Sequence, residues 1–131
     1  MKTNLLYYRI ILGVFCMAMI GVVLNSFINY ESVSETILNL GYPPYLLYII
    51  GAAQTLGVLL LITNKAGDFT EWIYAGFFFN LTLGFIAHLV SNLGNGASAI
   101  LCLIPLFMNY FLYRKITTNP AYSEKTESLL F

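Results

Sequence analysis

EWIYAGFFFNLTLGFIAH, residues Glu71 to His88, is the stretch whose reading decides the fold. It is almost unbroken apolar sequence. A carboxylate and the only tryptophan stand at one end, the only histidine at the other, and Asn80 near the middle. Roughly 20 apolar residues rising ~1.5 Å each cross the hydrocarbon core of a bilayer. The stretch therefore reads as a transmembrane helix over about 72–90, with Glu71 complementing the positive end of the helix dipole and Trp72 at the interface.

The remainder of the chain supports this. Hydrophobic residues make up 59% of the 131 residues and charged ones 9%. A soluble domain carries about 25% charged residues, so this chain could not wet its own surface. Three further apolar blocks give spans over about 10–28, 45–63 and 97–113. The expected architecture is an all-α membrane protein, an antiparallel bundle of four transmembrane helices over 1–115, followed by a flexible polar tail over 116–131. The N-terminal block runs too far for a signal peptide and lacks a small-x-small cleavage site, so it reads as a retained helix.

Orientation follows from the basic residues. Lys2, Arg9, Lys65, Arg114, Lys115 and Lys125 account for all six and fall on one side of a four-span topology. By the positive-inside rule both termini are cytoplasmic, and the protein belongs in the cell membrane. Zero net charge offers nothing to nucleic acid. One histidine and two cysteines in separate apolar runs exclude a bis-histidine haem and leave no metal-ligand spacing. At their expected depths Cys16 and Cys102 lie too far apart for a disulfide.

Punctuation between spans is specific. Ser32 and Glu35 have capping-box spacing, and Val33, Ile37, Leu38 and Leu40 would form the apolar side of a short interfacial helix. Gly41-Tyr42-Pro43-Pro44 then turns the chain, with Pro44 suited to a first helical turn. Ala53 and Gly57 form a small-xxx-small pair for close helix approach. Pro105 inside the last span removes a hydrogen bond and predicts a kink.

Polar groups within lipid are costly and mark packing or function. Gln54 and Asn80 each fall near the middle of a span, at one depth. Two readings stand: an interhelical hydrogen bond that fixes packing, or the lining of a pocket for a polar head group. His88 shares a helical face with Tyr74, Phe77, Leu81 and Gly84, an aromatic stripe ending in a polar residue. It is either an interfacial histidine bonded to a loop or half of a proton-handling pair with Glu31.

Leu40-Gly41-Tyr42-Pro43, Glu71-Trp72, Tyr74 to Phe77 (including Gly76) and His88 together resemble the DoxX-like family of small four-helix bacterial membrane proteins. Members of that family often carry a lysine where Gln54 stands, an aspartate where Asn80 stands and a serine where Ala87 stands. This chain thus holds a neutral pair in place of a charged one. The resemblance implies a membrane subunit associated with quinone-linked or redox-stress chemistry, more readily an accessory than a stand-alone enzyme. In that setting Gln54, Tyr74, Phe77, Asn80 and His88 are candidate ligand contacts, with His88 or Gln54 donating to a quinone carbonyl. Gly41, Pro43, Glu71, Trp72, Gly76 and Pro105 are structural. A redox partner or a second copy of the chain would be the protein neighbour. The alternatives are a non-catalytic assembly protein and, lower, a passive small-molecule permease.

Overall fold

The computed structural model describes residues 2–91 and 96–119, all of whose regular structure is helical. The helices are α1 (Lys2–Ile28), α2 (Tyr30–Asn39), α3 (Leu46–Thr63), α4 (Thr70–Ser91) and α5 (Ala97–Thr117), with a 3-10 turn at Gly67–Phe69 before α4. Four of them, α1, α3, α4 and α5, are long and apolar enough to cross a membrane. A helix satisfies its backbone polar groups internally, which is the condition for a chain segment to sit in hydrocarbon.

The helix ends follow local chemistry. Between α1 and α2 the break is a single residue, Asn29, at φ −103° and ψ 39°. Its side-chain amide donates to Asn25 Oδ1 at 2.8 Å, and Ser26 Oγ donates to the Val22 carbonyl at 2.9 Å. The expected capping box does not form, and α2 has no side-chain cap hydrogen bond at its N-cap Asn29. Ser32 lies inside α2, where its carbonyl accepts from Thr36 Oγ1, because α1 and α2 follow each other with no loop to cap. At the far end of α2, Gly41 has φ +85°, its N–H bonds the Leu38 carbonyl, and the Tyr42 N–H reaches Ile37. This is a Schellman ending, which favours glycine because other residues strain at positive φ. Pro43 and Pro44 carbonyls then accept from Leu46 and Leu47 to start α3.

α1 begins eight residues earlier than the hydropathy block suggested, and α5 runs on through Pro105 to Thr117 without interruption. Residues 92–95 and the tail from 120 lie outside the described residues.

The core lies where α1, α3, α4 and α5 meet. Phe15 and Met19 of α1 are fully buried, against Val58 and Leu61 of α3, Tyr74, Phe77 and Leu81 of α4, and Cys102 and Leu106 of α5. Phe15 meets Phe77 edge-on at 5.1 Å and 89°, the geometry that the ring quadrupole favours. Gly57 makes this packing feasible: a Cβ there would lie 2.9 Å from Phe77 Cε2. Outside this centre the helices expose large apolar side chains, among them Met17, Ile28, Trp72 and Val90, each more than 70% accessible. A monomer in water does not present such a surface; lipid accommodates it.

α2 packs across one end of the bundle. Tyr30 stacks near Tyr48 at 5.7 Å and Phe27 near the same ring at 5.9 Å. Tyr30 is outside the spans, and its hydrogen bond to Tyr48 pushes its phenol pKa up.

Candidate functional site

Polar chemistry inside the bundle gathers where α1, α4 and α5 converge, around Tyr74. The Asn109 amide Nδ2 donates to the Tyr74 hydroxyl at 2.8 Å. A phenol holds one proton and two lone pairs. Tyr74 can therefore accept from Asn109 and keep its own proton for a second acceptor, and Tyr8 of α1 is close enough to interact with it electrostatically. Tyr110 and Tyr113 close round it, their rings 5.5 and 5.6 Å from that of Tyr74. Asn109 is completely buried, and its Oδ1 has no hydrogen-bond partner among the described residues. One turn outward, Arg114 Nη1 and Glu71 Oε1 form an exposed ion pair at 2.6 Å.

Two recesses adjoin this cluster. One, of about 250 Å³, lies between α4 and α5. It is walled by Tyr74, Phe78, Phe107 and Tyr110, with Leu106 and Ala75 between them and Glu71 at its edge. Phe78 and Phe107 face each other at 5.5 Å and 66°. The other is a groove of about 560 Å³ along α1, closed by the last turns of α3 and α5. Its surface is apolar apart from Tyr8, Arg9, Asn64, Tyr113 and Thr117, with the Cys16 thiol among the buried residues that line it. Cys16 and Cys102 are both free thiols. Among the described residues no three His, Cys, Asp or Glu side chains come together.

The residues singled out from sequence fall in different places. Tyr74 lines the α4–α5 recess. Phe77 is buried in the core against Phe15. Gln54 is buried on α3 and Asn80 half-buried on α4, and among the described residues no hydrogen bond joins them. α4 turns Tyr74, Phe77 and Leu81 into the core, and Asn80 takes the flank of that face. His88 stands half-buried in the last turn of α4, its Cβ beside Gly96. Glu31 is exposed on α2 and makes no ion pair among the described residues. Neither Gln54, Phe77, Asn80 nor His88 lines the recess or the groove.

The sequence pattern of the DoxX-like family matches residues 10–109, from the third turn of α1 to Asn109 itself. The chain belongs to the DoxX-like family. No curated protein and no solved structure matches it. The match takes in Tyr74, both walls of the α4–α5 recess as far as Phe107, and most of the α1 side of the groove. It stops short of Tyr110, Tyr113 and Arg114, so part of the cluster in this DoxX-like protein lies beyond the shared region.

The partners of Tyr74 were not apparent in the DoxX-like chain before folding. Tyr8, Asn109, Tyr110 and Tyr113 sit in two helices far apart in sequence. A signal did exist. Tyr74 stands three residues inside Glu71, and Tyr110 and Asn109 stand four and five inside Arg114. Once the charged pair is matched, the polar side chains inside it share one level.

Proposed function

We propose that this DoxX-like membrane protein binds a small apolar ligand with a flat conjugated ring, quinone-like in character, as an accessory component of membrane redox chemistry. The observation that carries the reading is the recess walled by Tyr74, Phe78, Phe107 and Tyr110. Ligand pockets are typically apolar with a few placed polar groups, and aromatic walls accept a planar ring by offset stacking or edge contact. Phenol hydroxyls supply the donors a quinone carbonyl needs, and the bond from Asn109 holds the Tyr74 phenol in one orientation.

In this reading Phe77 backs the recess from the core. Gln54, Asn80 and His88 would serve a ligand entering from the opposite end of α4, and the recess geometry favours the Tyr74 end. The spans form an antiparallel bundle of the cell membrane with both termini cytoplasmic. Contacts whose numbers run in opposite directions along α4 and α5 support that arrangement: Glu71 with Arg114, Tyr74 with Asn109, Phe78 with Phe107. So does the clustering of Arg9, Asn64 and Thr117 about one groove.

The test uses the only tryptophan, Trp72, next in sequence to the recess residue Glu71. A short-tailed naphthoquinone is titrated into the protein in lipid nanodiscs. Saturable quenching of Trp72, lost in Ala75→Phe at unchanged melting temperature, is expected. Quenching that only rises linearly with quinone in the lipid, equally in both proteins, overturns the reading.

A second reading, assembly with another copy or a redox partner, is favoured by Gly21, Gly76 and Gly84. Each leaves open space where a Cβ would stand, a notch of the kind that admits a neighbouring helix. Crosslinking in native membranes separates the two, since assembly alone yields crosslinks but no saturable quinone quenching.

A further inference from the structure

We propose that the groove along α1 is a binding site for one acyl chain of an anionic phospholipid, with Arg9 recognising the head-group phosphate. This inference is independent of the quinone reading, which concerns the other recess.

The groove has the dimensions of one leaflet. On α1 it is lined by Leu5, then by Arg9, Gly13 and Met17 alternating with Tyr8, Leu12 and Cys16, as far as Ile20. This is one helical face advancing by three and four residues. From Arg9 to Ile20 the rise is about 16 Å at ~1.5 Å per residue, close to half of the ~30 Å hydrocarbon core. Below Arg9 the α1 wall carries no charge. It consists of Leu12, Gly13, Cys16, Met17 and Ile20, with Leu61 and Ile62 from α3 beside it.

The polar side chains gather at the other end. Asn64 is the C-cap of α3, and Thr117 is the final residue of α5. Arg9 projects among them, exposed, and makes no ion pair among the described residues, whereas Arg114 is held by Glu71. A guanidinium at the rim of an apolar slot suits an amphiphile with a phosphate head, which it can bind in bidentate fashion. Gly13 keeps the slot open, since nothing lies within 4 Å of the place its Cβ would occupy.

The experiment is native mass spectrometry and thermal melting of the detergent-purified full chain. Phosphatidylglycerol or phosphatidylcholine with identical acyl chains is added. Wild type is expected to retain one phosphatidylglycerol with about fivefold preference over phosphatidylcholine, the factor appropriate to one basic residue at an anionic surface, and to melt higher with it. Arg9→Gln is expected to lose the preference, while Lys115→Gln, at the same end but outside the groove, keeps it. Gly13→Leu is expected to lose retention of both lipids. Met17→Trp obstructs the same slot from an exposed position and serves if Gly13→Leu does not fold. Inorganic phosphate alone should produce no shift. Equal retention of the two lipids by wild type, a preference that survives Arg9→Gln, or undiminished retention in the groove-filling variants overturns the proposal.

Discussion

The side-chain amide of Asn109 donates a 2.8 Å hydrogen bond to the hydroxyl of Tyr74, tying α5 to α4 inside the apolar core. Asn109 is wholly buried and its Oδ1 is already unpaired. Tyr74→Phe therefore strands the Nδ2 donor as well. The expected loss is about 1–2 kcal/mol of stability, the range for an unmade interhelical bond in a membrane protein. Unfolding of the single variant and of Tyr74→Phe/Asn109→Leu measures it. The double variant should recover most of the loss, because removing both partners leaves neither end of the Asn109–Tyr74 bond unpaired.

Gly57 and Phe77 make a steric prediction. A Cβ at residue 57 would meet Phe77 Cε2 at 2.9 Å. That ring cannot withdraw easily, since it is buried and held edge-on by Phe15. Gly57→Ala is expected to destabilise by about 1–3 kcal/mol, the cost of overpacking a fitted core. Gly76→Ala, where the added methyl meets nothing, should melt no lower than wild type. Equal losses at both positions would show that glycine matters here for another reason.

Arg114 and Glu71 are in close contact, yet both are about half accessible. Exposed ion pairs contribute little, because solvent screens them and two long side chains lose freedom. Glu71→Gln is expected to leave the melting temperature within experimental error of wild type, and raising the salt concentration should do likewise. A clear drop in melting temperature for Glu71→Gln would mean that the pair is less screened than its exposure implies.

Topology is open to direct measurement. In a background with Cys16 and Cys102 replaced by alanine, Asp68→Cys and Tyr42→Cys each place one thiol at an exposed connection. An impermeant maleimide added to intact cells is expected to label Tyr42→Cys only, and Asp68→Cys only after the membrane is opened. The reverse pattern would invert the assignment of both termini to the cytoplasm.

Much of the fold was legible from residue types. The four long helices, the short α2 and the glycine ending at Gly41 follow from hydropathy and turn chemistry, whereas Pro44, expected in the first turn of α3, precedes its N-cap Tyr45. The capping box at Ser32 failed because its spacing presumes a loop before the helix, and Asn29 alone separates α1 from α2. Of the candidate contacts, Tyr74 borders a cavity, while Gln54 and Asn80, expected at one depth, make no hydrogen bond to each other among the described residues. Depth along a helix is a linear quantity and can be counted; rotation about its axis cannot.

From sequence alone, then, the class of this protein, its four apolar helices and its place in the DoxX-like family were determined, because length, composition and turn residues act locally. Tertiary structure alone decided which face of each helix turns inward. In a soluble helix an apolar stripe announces the core. Here lipid is as apolar as the core, so the helices are hydrophobic all round and hydropathy does not say whether the Tyr74–Phe77–Leu81 face or the face of Phe79 turns inward, though the first is buried and the second exposed. Shape chose between them, through Gly57 making room for Phe77, and only that choice brought Asn109 to Tyr74 and left a groove beside Arg9.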